Sequence, residues 1–330
     1  MYSIFDLHTK EAPLSGNYVL PLVTSAAEKK RIHLVGLGDV GRTVVEGILM
    51  RGGRTFSELG FYDLNADNLE RMEIELGQAS FAFDDEERMQ VRALKKEELF
   101  DCDVFAFCAT AGVPPVSVTS GDVRMMQFEK NAAIVSLYAA QAAEEGFGGL
   151  FCVVSDPVDL LCMSVLRATL SKNRSLDPFQ IQGFGLGVMH ARALSIAQKE
   201  GNNGANLVHL RAYGPHGAGL VIANSYLPEE YDDAYSRSLT KSVSTVNLRI
   251  REKGFKPYIA PAFASAVLSI ERAVRGEWNN SCNYLNGLYF GCRNRRSVQG
   301  IEWEDPALPE ALFERLIESY QELEQILWKA

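Results

Sequence analysis

Residues Arg31–Thr43 read RIHLVGLGDVGRT, and this stretch narrows the choice of fold further than any other. Ile32, Leu34 and Val35 form a short apolar run suited to a buried strand. Gly36, Gly38 and Gly41 follow at once in the spacing G-x-G-x-x-G, and Val44, Val45, Ile48 and Leu49 then recur at helical intervals. Strand, tight turn and helix start are the context that gives such glycines a physical meaning. Gly36 makes the turn, Gly38 lets the backbone approach a diphosphate, and Gly41 lets helix pack on strand. The N–H groups at the head of the helix, Asp39 and Val40 among them, face the phosphates with a partial positive charge behind them. A second strand, Leu59–Asp63, ends in Asp63, 22 residues after Gly41. A carboxylate there accepts from the ribose hydroxyls and repels a 2′-phosphate, so the chain is expected to bind NAD rather than NADP. The other meaning of these residues is a plain turn beside a solvated Asp.

The pattern continues as strand, helix (Val44–Arg51), strand, helix (Ala66–Gly77), a short strand at Arg92–Leu94 and an apolar strand at Asp103–Cys108. Such alternation predicts an α/β fold, a Rossmann-type doubly wound parallel sheet. Val113–Val123, with two prolines, two serines, a threonine and a glycine, reads as a loop, and Arg124 opens the helix after it. Gly149–Val154 is a further buried strand, ending in Ser155-Asp156-Pro157-Val158-Asp159. The second half changes character. It predicts helices at Val188–Gln198, Glu229–Lys253 and Pro261–Arg275, antiparallel strands at Cys282–Gly291 and Gln299–Trp303, and a closing amphipathic helix over Leu308–Leu327. The expected division is therefore a lead or arm (1–30), a dinucleotide-binding domain (31–180) and an α+β substrate domain (181–330). Within the lead, Tyr18–Val23 is suited either to an edge strand or to packing on a neighbouring subunit.

Composition excludes several classes of function. A formal charge of −9 disfavours nucleic acid and anionic membranes as partners. No apolar run approaches the ~20 residues of a membrane span, and the N-terminus lacks a secretory pattern. The six cysteines sit in apolar surroundings with no C-x-x-C pair. They predict reduced thiols in a cytoplasmic protein, with no metal site and no disulfide framework.

In an open parallel sheet, ligands bind beyond the carboxyl ends of the strands where strand order reverses. That edge collects Gly36–Gly41, Asp63, Thr110-Ala111-Gly112 and Ser155–Pro157. Arg124, Arg192 and His216 each stand at an element end beside glycine. Two guanidiniums suit a carboxylate, because the planar fork makes paired hydrogen bonds; an imidazole suits proton transfer near neutral pH. Each has a plainer reading as a solvated helix-start arginine or a structural turn histidine.

The order GLGDVG, FYD, TAG, a loop ending in Arg124 with Asn131 seven residues on, DPVD, GFGLGVMHAR and GPHG resembles the lactate/malate dehydrogenase family over roughly residues 30–325. The resemblance implies an NAD-dependent oxidoreductase of 2-hydroxy and 2-oxo acids, a small-molecule carboxylate as substrate and a homodimer or homotetramer. It implies that His216 shuttles the proton, Arg192 holds the substrate carboxylate and Arg124 polarises the reacting carbonyl. It places Asn131 with the cofactor-binding residues. Four departures stand out. Met189 falls where the family keeps the Asp that orients the histidine. Asp156 replaces the family Asn before Pro-Val-Asp; it either restores a carboxylate near His216 or caps the helix that follows. The loop before Arg124 is long, carries Pro114-Pro115 and has no arginine for a second carboxylate, which disfavours malate. Lys256 falls on the far side of the substrate pocket, either meeting a distal anionic group or lying exposed. An NAD-dependent 2-hydroxyacid dehydrogenase of altered substrate is the leading expectation; the alternative is a non-catalytic NAD-binding protein on the same scaffold, which Met189 favours.

Overall fold

The computed structural model describes residues 2–9, 18–19, 28–79, 89–112, 127–170, 175–201, 207–297 and 300–329. In chain order its elements begin with β1 (Tyr18–Val19), β2 (Lys30–Val35), α1 (Asp39–Arg51), β3 (Phe56–Tyr62), α2 (Ala66–Gln78), β4 (Gln90–Ala93) and β5 (Val104–Phe107). Then come α3 (Phe128–Glu144), β6 (Leu150–Val153), α4 (Val158–Leu170), β7 (Ser175–Leu176), β8 (Ile181–Gly183), α5 (Leu186–Lys199), β9 (Arg211–Tyr213) and β10 (Val221–Ala223). The chain continues with α6 (Asp233–Ser244), α7 (Val246–Glu252), a π-helical segment (Pro261–Val267), α8 (Leu268–Val274), β11 (Asn279–Leu285), β12 (Leu288–Ser297), β13 (Gly300–Trp303) and α9 (Glu310–Lys329).

One nine-stranded sheet runs β13-β12-β11-β8-β6-β5-β2-β3-β4. From β4 to β8 neighbouring strands are parallel, with Ile32 of β2 beside both Leu59 of β3 and Val104 of β5. The chain winds outward from β2 to β4, then returns and winds the other way through β5, β6 and β8, so strand order reverses between β2 and β5. β5 shows why the sheet is covered on both sides. Phe105 and Phe107 pack into the cluster built with α3, α4 and α9, while Val104 and Ala106 pack into the cluster of α1, α2 and α8. Alternate side chains of one strand thus fill opposite cores, as a doubly wound sheet requires.

The boundary expected near residue 180 falls inside this sheet. β8 pairs with β6 on one side, and Gly183 pairs with Cys282 of β11 on the other. The antiparallel strands of the second half extend the parallel sheet. A third core, formed by α5, α6, β9 and β10, supports the turn that carries His216.

The described parts of the lead pack on their own chain. Tyr18–Val19 pairs parallel with Ser175–Leu176. Ile4 and Leu7 are buried, Tyr2 stacks on Phe313, and Asn286 Nδ2 donates to the carbonyls of Phe5 and Leu7. All six cysteines are buried and free, and burial pushes each thiol up from its ordinary value. No described helix is long and apolar enough to cross a membrane.

Candidate active site

The turn after β2 is built by close approach. Gly36 sits at φ +92°, a left-handed conformation that favours glycine, and a Cβ there would lie 2.5 Å from the Ala109 backbone. A Cβ on Gly41 would lie 1.8 Å from the Gly36 carbonyl oxygen. Gly38 is different: a Cβ there meets nothing within 4 Å, so the space over the head of α1 is open. Asp63, just past β3, accepts from Leu37 N at 2.6 Å through Oδ2 and from Asn65 N at 2.8 Å through Oδ1. A carboxylate has about four acceptor positions, so two remain for ribose hydroxyls. An open glycine cradle, a helix head and this carboxylate at one edge fit a dinucleotide with a free 2′-hydroxyl.

A cavity of about 500 Å³ begins at this cradle. Its described lining runs from Gly38, Asp39 and Val40, through Thr110, Gly112 and Gln127, to Ser155, Asp156 and His216; α7 and the segment after it close the other side with Asn247, Arg251, Lys256 and Tyr258. The glycine turn and the histidine, 175 residues or more apart in sequence, therefore share one cleft.

His216 stands in the turn between β9 and β10, and Gly214 N donates to Gly291 O to anchor that turn on β12. The ring is held from two directions. Its backbone N–H donates to Asp159 Oδ2 at 2.9 Å, and Nδ1 lies 2.9 Å from Asp156 Oδ1. A carboxylate only accepts, so Nδ1 carries the proton, and Nε2 is the nitrogen whose proton content can change. Gly185, at the start of α5, permits this: a Cβ there would lie 2.6 Å from the ring. Ser265 fixes the approach, donating to Gly185 O and accepting from Val188 N, both at 2.8 Å.

Asp159 is fully enclosed, and burial pushes its carboxyl up to about 6, against the bond from His216 N that lowers it. Because the folded value lies above the unfolded one of 3.8, protonation favours the folded state. The associated stability is complete below about pH 4 and is lost as pH rises through about 6. Asp159→Asn keeps an acceptor for His216 N without this cost. Its stability relative to the parent is expected to rise by up to roughly 3 kcal/mol between pH 4 and 7.5, read from urea midpoints at the two pH values.

Two expected site residues are placed otherwise. Arg192 is buried on α5, but it is absent from the described cavity lining. Its Nη2 donates to Asn247 Oδ1 at 2.5 Å, and its Nη1 reaches Met189 Sδ at 3.7 Å. It lines a separate pocket between α5 and α7 with Arg249 and Lys253. It meets the cleft through Asn247, because a carboxamide oxygen is a far better acceptor than a thioether. Asn131 is fully buried and acts as a brace. Its Oδ1 accepts from Ala111 N and Thr110 Oγ1, and its Nδ2 donates to Asp156 O at 2.8 Å. It ties the loop after β5 to the residue facing His216. Lys256 reaches across the cleft mouth to Asp39 Oδ2 at 2.8 Å. Arg124 lies outside the described residues.

Arg251 was not singled out by sequence. It lies in the last turn of α7, is 6% exposed and lines the cavity. A basic residue in the last turn of a helix reads as an ordinary partner for the helix dipole, so no sequence signal marks it. Gln127 is a second omission: its Nε2 is buried in the lining with no hydrogen-bond partner among the described residues. No group of three His, Cys, Asp or Glu among the described residues is placed to hold a metal ion.

Residues 30–178 match the model of the lactate/malate dehydrogenase NAD binding domain. An L-lactate dehydrogenase of Halalkalibacterium halodurans is 25% identical over 316 residues, 90% of this chain and 97% of that one. Two further matches are shorter: the chain spans about half the length of the L-lactate dehydrogenases of Treponema denticola (27% identical, 58% of this chain and 56% of that one) and Streptococcus suis (28% identical, 59% and 55%). Among solved structures, the malate dehydrogenase of Archaeoglobus fulgidus in complex with NADH superposes with a TM-score of 0.75 at 19% identity, covering 91% of this chain and 99% of that one. A minor L-lactate dehydrogenase of Enterococcus mundtii gives 0.74 at 19% identity, covering 92% and 98%.

Proposed function

We propose that the chain is a divergent member of the lactate/malate dehydrogenase family, to whose NAD binding domain residues 30–178 are similar, and an NAD-dependent oxidoreductase of 2-hydroxy and 2-oxo acids whose catalytic pair is His216 and Asp156. The observation that carries this reading is the pair itself. A histidine with a carboxylate 2.9 Å from Nδ1 lines the same cleft as the glycine cradle. NAD, when bound, supplies the hydride acceptor or donor. The protein does the rest. His216 Nε2 takes the proton of the substrate hydroxyl or returns one to the carbonyl oxygen. Asp156 holds the ring in the tautomer that allows this and stabilises the imidazolium. Asn131 fixes Asp156 through its carbonyl. Gln127 Nε2 offers a donor to a ligand oxygen.

The carboxylate of the acid is met by Arg251, the guanidinium in the described cavity lining, with Arg192 as a positioning residue behind Asn247. A buried guanidinium that loses its charge costs its anionic partner about 2–5 kcal/mol. Arg251→Gln is therefore expected to raise KM for the acid at least about thirtyfold. Arg192→Gln should raise it less and lower kcat as Asn247 shifts. Steady-state kinetics of the two variants check the order, and the reverse order would return the clamp to Arg192.

The whole reading is tested with a panel of 2-oxo acids differing in side chain, following loss of the NADH absorbance. Turnover of at least one acid is expected. NADH binding with no turnover of any acid would select the non-catalytic alternative that Met189 favours.

A further inference from the structure

The head of α1 already carries an anion. Asp39 is the first residue after the N-cap Gly38, where a diphosphate meets the free N–H groups of the helix. The attraction that stabilises an acid at this position is the same one that draws phosphate, and the two negative groups repel. The structure answers with Lys256. Its Nζ lies 2.8 Å from Asp39 Oδ2, joining two points 217 residues apart. Arg42 is further, 3.6 Å from Asp39 Oδ1, and it also faces Glu46 at 3.9 Å. Lys256, Asp39, Gly38 and Val40 line the same cleft. The pair is half-exposed, 51% for Lys256 and 31% for Asp39, and exposed pairs add little to folding stability. Its effect belongs to what binds beside it.

We propose that Lys256 serves the dinucleotide and not the acid: its ammonium cancels the Asp39 carboxylate so that a diphosphate can dock on the head of α1. This rests on the NAD reading above. Lys256 thereby makes cofactor affinity depend on the segment between α7 and the π-helical turn, in the half of the chain that also holds His216.

The test is calorimetric titration with NADH and with ADP-ribose, with no 2-oxo acid present. Lys256→Met is expected to weaken both ligands about tenfold, with little change in melting temperature. Adding Asp39→Asn to that variant is expected to restore both to within about twofold of the parent. An unchanged affinity in Lys256→Met overturns the proposal. So does a double variant as weak as Lys256→Met alone, which would make Lys256 a direct phosphate contact. Failure of the parent chain to bind either ligand overturns the cofactor reading itself, and the role of the pair with it.

Discussion

With a 2-oxo acid turned over as proposed above, Asp156→Asn is expected to lower kcat by about three to four orders of magnitude while leaving NADH affinity within twofold. The size follows from a comparable case: removing the carboxylate that orients a catalytic histidine costs about 10⁴ in serine proteases. Two effects combine. The Asn amide can donate to Nδ1, which would move the ring proton to Nε2, the wrong nitrogen for accepting a substrate proton. It also removes the charge that stabilises the imidazolium. Met189 cannot compensate, because it is fully buried and its sulfur lies against Arg192. Asp159 meets His216 at the backbone N–H, while the ring Nδ1 faces Asp156. The check is kcat across a pH series beside an NADH titration. Unchanged turnover would leave Asp156 as an ordinary residue before Pro157.

Gly41→Ala is expected to destabilise the fold by about 3 kcal/mol or more, the upper end of overpacking costs, and to lower the melting temperature by roughly 5–10 °C. The new Cβ would lie 1.8 Å from the Gly36 carbonyl oxygen. Neither partner can yield cheaply, because both are backbone at the tightest point between β2 and α1. Gly38→Ala is the contrasting variant. Its Cβ meets nothing within 4 Å, and its backbone is extended, with φ −69° and ψ −170°. The fold should tolerate it with little change in melting temperature, while NADH affinity falls because the methyl stands where the diphosphate approaches. Thermal melting and NADH titration of the two variants separate the roles; equal melting temperatures would show that the turn relaxes around Gly41.

Several elements were not legible in the sequence, for physical reasons. β8 is three residues long and centred on Gln182, a polar residue that does not advertise a buried strand. Gln182 is accommodated because Ser281 Oγ and Asn294 Oδ1, 99 and 112 residues away, accept from its Nε2 at 2.8 and 3.1 Å. The stretch expected as one helix over Glu229–Lys253 divides into α6 and α7 at Thr245. That break aims Asn247 and Arg251 into the cleft, and nothing in the local periodicity announces it.

The sequence by itself predicted the doubly wound sheet and the glycine turn with Asp63 beyond the next strand, both written in local spacing, where strand, turn and helix chemistry act over a few residues; His216 and Asp156 were nominated only through the resemblance of their motifs to a known family. Tertiary structure alone decided which groups meet. It brought Asp156 to His216, held Arg192 on Asn247, set Arg251 in the cavity lining and joined Lys256 to Asp39. The direction a side chain takes is chosen by the acceptors around it, and here those acceptors come from elements that adjoin only once the chain has folded.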